Sequence, residues 1–266
     1  MEPSRPIRLR LLQTDVAPLR PRNMAAMTDT GSALPLRICL LSGGESRRMG
    51  QDKALLPHPE GGCWLERTLR LLARLDAPVT LLSRHPRHLA IARQLQEAEG
   101  HRTTGEGAVP APRRAAIHAI GEPAPWEGPL LALHRLMQLH PDRRLLLCPV
   151  DMPSLSPEVL RQLLEAAAAD PTGIHLAHDG RRRQPLLGIY PSSGTIRALL
   201  ASTIAGGERR LQGWLAGQPC REVRLDAERI RNHNRPEDLA RPNGDAREGE
   251  GPAQAGRPER DDGHGT

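Results

Sequence analysis

The stretch Arg37-Ile38-Cys39-Leu40-Leu41-Ser42-Gly43-Gly44-Glu45-Ser46-Arg47-Arg48-Met49-Gly50-Gln51-Asp52-Lys53 decides the fold. Arg37–Ser42 is a short apolar run with no helical period, consistent with a buried strand, and Gly43-Gly44 lets the chain turn tightly after it. Two adjacent glycines also allow backbone N–H groups to approach an anionic ligand closely. Arg47, Arg48 and Lys53 follow within ten residues of that turn. The loop is not a Walker A motif, because Gln51-Asp52 intervene before the lysine and Ala54 replaces the magnesium-holding Ser/Thr. Nor is it a Rossmann G-x-G-x-x-G. A Gly-Gly turn, an arginine pair and a lysine after a buried strand describe a phosphate cradle.

Lys53 is the one lysine among 37 basic residues in a chain of 266. An exposed lysine is readily replaced by arginine, but the two differ where a compact ammonium must fit. The same composition removes other functions. With no phenylalanine, one tyrosine and three tryptophans, the chain lacks the rings that a single-strand nucleic-acid binder stacks on bases. With 26% charged residues and no long apolar run, it contains no membrane span. The net charge of +6 suits phosphorylated small molecules, and the scattered arginines read as a solvated surface rather than a nucleic-acid stripe.

Outward from the cradle, strand-like and helix-like segments alternate. Strands are expected at Arg37–Ser42, Pro78–Ser83 and Arg144–Val150, and helices at Trp64–Leu75, His88–Glu97, Leu130–Leu139 and Pro157–Ala169. Ser156 is the expected N-cap of the last, with Pro157 at its first position. Such alternation predicts a Rossmann-like, three-layer α/β domain over 37–240, its mostly parallel sheet covered by helices on both faces. Ligands of these sheets bind at the carboxyl ends of the strands, which directs attention to the loops after Ser42 and Val150.

Residues 1–36 are Pro/Arg-rich and read as a flexible extension, with Met24 and Met27 as later possible starts and no secretory signal. Residues 241–266 are Gly/Pro/charged low complexity and are expected to be disordered. Cys39, Cys63, Cys148 and Cys220 lack metal-site spacing and suit a reducing compartment, so the expected location is the cytoplasm.

The run LSGGESRRMGQDKALL resembles the L-A-G-G-x-S-x-R-M-G-x-D-K signature of nucleotidyltransferases, and most closely the molybdenum cofactor guanylyltransferases. Ser42 stands where that family usually has alanine. The resemblance implies that Leu41, Ser42, Gly43 and Gly44 contact the nucleotide and that Arg48 and Lys53 hold its phosphates. At the second loop, Asp151-Met152-Pro153 matches the family's D-x-P after a strand, which makes Asp151 the Mg²⁺ ligand. Magnesium does prefer oxygen donors and commonly takes one or two carboxylates with substrate phosphates and waters. The implied reaction is in-line attack of an acceptor phosphate oxygen on the α-phosphorus, with pyrophosphate leaving. The nucleophile is already anionic, so positioning and charge neutralisation by Lys53, Arg48 and the metal carry the rate.

The resemblance runs from about Arg37 to Ala240. It includes His178-Asp179-Gly180 with Gln184-Pro185-Leu186 and Tyr190 (a strand pair closing over the acceptor), Gly207-Glu208-Arg209-Arg210, and Asn232-His233-Asn234 before Pro236-Glu237-Asp238-Leu239. Asn232 and Asn234 either hydrogen-bond acceptor or phosphate groups or shape a turn before a helix at Pro236. Two departures bear on the base. Where the family often has asparagines for the nucleoside, Ser83 is the small polar candidate. Where it has an acidic residue that helps to read guanine, this chain offers Glu122 in Gly121-Glu122-Pro123, aligned to within one position.

The implied activity is transfer of GMP from Mg·GTP to the phosphate of molybdopterin, giving the guanine dinucleotide form of the molybdenum cofactor. Molybdoenzymes or their chaperones would receive the product. The alternatives are a cytidylyltransferase on the same cofactor, another nucleotidyltransferase, or a nucleotide-binding cofactor chaperone without turnover.

Overall fold

Ile38, Cys39 and Leu40 have no solvent exposure, because β1 (Leu36–Leu41) is sandwiched in the sheet plane and covered on both faces. It pairs in parallel with β2 (Val79–Ser83) on one side and β4 (Arg144–Pro149) on the other. All five residues of β2 are buried, as are Leu145–Pro149 of β4. Unbroken apolar runs of this kind are what doubly covered parallel strands require. This computed structural model describes residues 34–44, 50–102 and 115–234, all within one compact unit. The extension expected over 1–36, apart from its last three residues, lies outside the described residues. So do Arg48, the helix expected at Pro236 and the tail 241–266.

With β3 (Ile117–Gly121), β5 (Ile174–His178), β6 (Arg183–Pro191) and β7 (Cys220–Arg224), the sheet has the order β3-β2-β1-β4-β6-β5-β7. Only β6 runs against its neighbours. The domain is therefore the mostly parallel Rossmann-like sheet expected. The order reverses between β1 and β4, where a doubly wound sheet opens a crevice.

Side chains alternate along β1, Ile38 and Leu40 facing one layer and Cys39 the other. The first layer contains α1 (Trp64–Leu72), α2 (Pro86–Arg102) and α4 (Pro157–Ala168), whose Leu65, Leu69, Ala92, Leu160 and Leu163 join the core with Ile38 and Leu40. On the opposite face α3 (Pro129–Leu139), α5 (Gly194–Ala205) and α6 (Leu211–Ala216) bring Leu130, Leu133, Leu200 and Trp214 against Cys39, Leu145 and Tyr190. With only four aromatic rings in the chain, leucine supplies most of this volume. No described helix is long and apolar enough to cross a membrane.

Element ends differ from expectation by local chemistry. Helix α2 starts earlier, at Pro86, and α1 stops at Leu72 rather than Leu75. Ser156 occupies the N-cap position of α4 with extended backbone, but its side chain makes no capping bond, being engaged by Glu158 instead. The strand pair expected around 178–190 is the β5–β6 hairpin. Asp179 Oδ1 accepts from the amides of Arg181 and Arg182, each at 2.8 Å, and Gly180 takes the positive φ of 92° that the turn requires.

His140, just past α3, gives the fold a pH dependence. Burial lowers its pKa to about 4, aided by the positive charges of Arg37 and Arg143, and its Nε2 meets the Thr80 hydroxyl at 3.0 Å. The unfolded chain takes up a proton near pH 6.5 that the folded chain refuses until about pH 4, so this contribution is full above pH 6.5 and is lost as pH falls through that window. Thermal unfolding at pH 7 and 4.5 is expected to show a smaller acid loss for His140→Gln than for the unsubstituted chain. An equal loss would remove His140 as the cause.

Candidate active site

At the reversal point the strand ends surround a cavity of about 560 Å³. Leu41 ends β1 and Ser42–Gly44 follow it, Arg84 follows β2, Glu122 follows β3 and Val150-Asp151 follow β4; Trp126 and Gly128-Pro129, leading into α3, complete the far wall. A single 3-10 turn at Lys53–Leu55 returns the chain from the glycine loop to the cavity. Asp52 caps it, Oδ1 accepting from the Ala54 amide at 3.0 Å. Lys53 Nζ thereby reaches across to Asp151 Oδ2 at 2.9 Å, joining the two loops singled out in the sequence. The same ammonium donates to Asn234 Oδ1 at 2.9 Å, which brings in the far end of the described chain.

The two asparagines part company. Asn234 orients Lys53, whereas Asn232 donates to Gln184 Oε1 at 2.9 Å and so ties the returning chain to the β5–β6 hairpin. His233 between them donates its amide to the Asp151 carbonyl and sets its ring edge-on to Trp64.

Asp151 provides the test for a metal. Its Oδ2 is paired with Lys53, but Oδ1 is buried and accepts no hydrogen bond. A buried carboxylate oxygen left without a donor is costly unless a cation takes its place. Among the described residues no group of three or more His, Cys, Asp or Glu surrounds it. The donor set therefore fits an ion held by one carboxylate, with phosphate oxygens and waters as the remaining ligands, which suits magnesium.

The glycine loop rests on a polar network that spacing in the sequence did not reveal. His88, buried at the start of α2, places Nε2 2.8 Å from Asp52 Oδ2 and Nδ1 3.0 Å from Ser42 Oγ. The Ser83 hydroxyl donates to the Ser42 carbonyl at 2.6 Å and accepts from the His85 amide. His88 Nδ1 also lies 2.9 Å from both the Ser42 carbonyl oxygen and the Ser83 hydroxyl, so both ring nitrogens are enclosed by polar groups of the loop and its neighbours. Ser83 is thus spent inside the protein and is not part of the cavity wall. Its place there is taken by Arg84, the next residue, and by His88.

Glu122 does line the cavity. Arg135 Nη1 donates to its Oε1 at 2.8 Å, and Oε2 lies so close to Gly43 that a Cβ there would sit 2.8 Å from it. A side chain at position 43 would therefore displace the Glu122 carboxylate from its place beside the loop. The Cys39 thiol is held far from ionisation, burial raising its pKa to about 12 against a weaker opposing effect of Arg37, and Cys148 is pushed up likewise. Neither thiol is a nucleophile.

Sequence reasoning missed Arg84, His88 and Trp126. For Trp126 a signal existed: it is a tryptophan among prolines immediately before Gly128-Pro129.

A MobA-like NTP transferase domain is recognised over residues 38–220. The probable molybdenum cofactor guanylyltransferase of Rhodopirellula baltica is 33% identical over 216 residues, covering 78% of this chain and 92% of that protein. The Mycobacterium avium protein of the same name is 29% identical over 204 residues, 75% of this chain and 91% of its own. Among solved structures, molybdopterin-guanine dinucleotide biosynthesis protein A from Archaeoglobus fulgidus superposes with a TM-score of 0.51 at 20% identity, covering 77% of this chain and 95% of that one. The 2-C-methyl-D-erythritol 4-phosphate cytidylyltransferase of Thermus thermophilus gives 0.51 at 18%, with 77% and 96% covered. At such identities the two structures establish the shared fold, while the sequence matches establish kinship: the chain belongs to the MobA-like NTP transferase family and is a nucleotidyltransferase.

Proposed function

We propose that the protein transfers GMP from GTP to the phosphate of molybdopterin in the cytoplasm, forming the guanine dinucleotide cofactor and releasing pyrophosphate. The observation that carries the phosphoryl chemistry is the meeting of Lys53 and Asp151 beside the Gly43-Gly44 turn. Base and acceptor rest on the names of the relatives, with support from Glu122.

The chain's own groups divide the work. Backbone N–H groups at Gly43 and Gly44 bind phosphate oxygens, and Lys53, held by Asn234, balances the charge that accumulates on pyrophosphate as it leaves. Arg48 adds a second cation to this role. Asp151 would hold Mg²⁺ through Oδ1, and a bound magnesium ion would supply charge neutralisation across the phosphates. The acceptor phosphate is ionised at neutral pH, so no residue need remove a proton. Glu122 Oε2, facing the cavity beside Gly43, is an acceptor for the N1–H and exocyclic amine of guanine.

The test is incubation with Mg²⁺, molybdopterin and each labelled nucleoside triphosphate in turn. Dinucleotide and pyrophosphate are expected from GTP. Product from CTP in place of GTP would overturn the base assignment, and transfer to a sugar phosphate but not to molybdopterin would overturn the acceptor.

A further inference from the structure

We infer that Trp126, with Arg84, forms a stacking platform for the nucleobase of the donor nucleotide. The inference rests on the nucleotide reading above but goes beyond it, since none of the resemblance or its motifs includes either residue. Trp126 is 53% exposed, the largest exposure among the large apolar side chains of the described residues, although it lines the cavity. The Arg84 guanidinium carbon lies 5.0 Å from the centre of its ring. A cation on an indole face is favourable in itself, and both groups have flat surfaces on which a base can lie.

The ring is held in place rather than merely left outside. Its Nε1 donates to the Glu122 carbonyl at 3.0 Å. Arg135 bonds the Pro125 carbonyl at 2.7 Å, on one side of Trp126, and Arg209 pairs with Glu127 at 2.5 Å on the other. Apolar surface fixed in water by three neighbouring polar contacts is preorganised for a ligand, because little side-chain freedom remains to be lost on binding. Its position selects the ligand. Lys53 and Asp151 mark the phosphate end between β1 and β4, whereas Arg84 and Glu122 follow β2 and β3 on the opposite side of the glycine turn. A nucleotide with phosphates at Lys53 extends its base toward Glu122 and Trp126. Stacking tolerates any base, so Trp126 contributes affinity while the Glu122 carboxylate discriminates by hydrogen bonding.

The chain carries a built-in reporter, because Trp64 and Trp214 are each only 2% exposed. Acrylamide quenching of tryptophan emission in the full-length protein therefore reports on Trp126. GTP and GDP are expected to protect the indole, and inorganic tripolyphosphate, which has no base, is expected to bind without protecting it. Trp126→Ala should weaken GTP binding by roughly 5- to 150-fold, leave tripolyphosphate affinity unchanged, and be largely rescued by Trp126→Phe. The inference is overturned if GTP binds without protecting the indole, if Trp126→Ala binds GTP normally or loses tripolyphosphate affinity equally, or if molybdopterin alone protects the ring. CTP that binds and protects the indole, where GTP does not bind at all, would support the platform while overturning the guanine assignment, which keeps the two readings separable.

Discussion

Asp151→Asn is expected to retain the fold and lose about 10³-fold in nucleotidyl transfer. The substitution keeps the side chain's shape and leaves an oxygen that Lys53 can still use, at the 2.9 Å distance now occupied by Oδ2. What it removes is the negative charge at Oδ1, the buried oxygen with no hydrogen-bond donor. Loss of a carboxylate that holds a catalytic cation is worth several kcal/mol at the transition state, and about 4 kcal/mol corresponds to about 10³ in rate. Stability should change far less, because the pair with Lys53 is only partly buried and one hydrogen bond survives. The measurements are kcat/KM against Mg²⁺ concentration together with thermal unfolding. A variant with the usual melting temperature, a large rate loss and a raised Mg²⁺ requirement fits the assignment. Near-normal turnover at ordinary Mg²⁺ would remove Asp151 from that role.

The fold was legible where burial dictates sequence. Both faces of β1, β2 and β4 are covered, so RICLLS, PVTLLS and RLLLCPV are nearly free of charge and stand out. The edge strands follow no such rule. The edge strand β7 is CREVR, with Arg221, Glu222 and Arg224 exposed, while β6, inside the sheet, contains Pro185 and Gly188, residues that weaken any strand pattern. Gly188 is explained only in three dimensions, since a Cβ there would lie 2.8 Å from the His175 carbonyl on β5. The site divides in the same way. Gly43, Gly44 and Asp151 stand just past strand ends, where topology announces them, and Lys53 follows in the 3-10 turn after the first of these loops. Asn234 admitted both a turn and a ligand role until it was found on Lys53, 181 residues away in the chain. The Asp52–His88 bond joins residues 36 apart that no period relates, and Ser83 turned inward because His88 and Ser42 met it there.

Lys53→Arg is expected to lose about 10²- to 10³-fold in kcat/KM although the charge is kept. Lys53 Nζ is a point donor, 2.9 Å from both Asp151 Oδ2 and Asn234 Oδ1, and the side chain is only 16% exposed. A guanidinium is larger, planar and forked, and its preferred partner is a carboxylate taken by both oxygens at once. At this position the fork would engage Asp151 Oδ1 as well as Oδ2, covering the oxygen proposed to hold the metal and drawing the cation away from Asn234. The substitution would thus improve an ion pair and disable the site. Its signature is a melting temperature equal to or above the parent's with a large fall in turnover, whereas Lys53→Met should lose rate through missing charge at a transition state where such a donor is worth about 3–4 kcal/mol. A double variant, Lys53→Arg with Asp151→Asn, separates the causes: if the fork acts by covering Oδ1, the second substitution should cost little beyond the first. Near-normal rates for Lys53→Arg would defeat the geometric argument outright. The composition of the chain agrees, since its 37 Lys and Arg residues include a single lysine and that lysine stands where an arginine would block its partner.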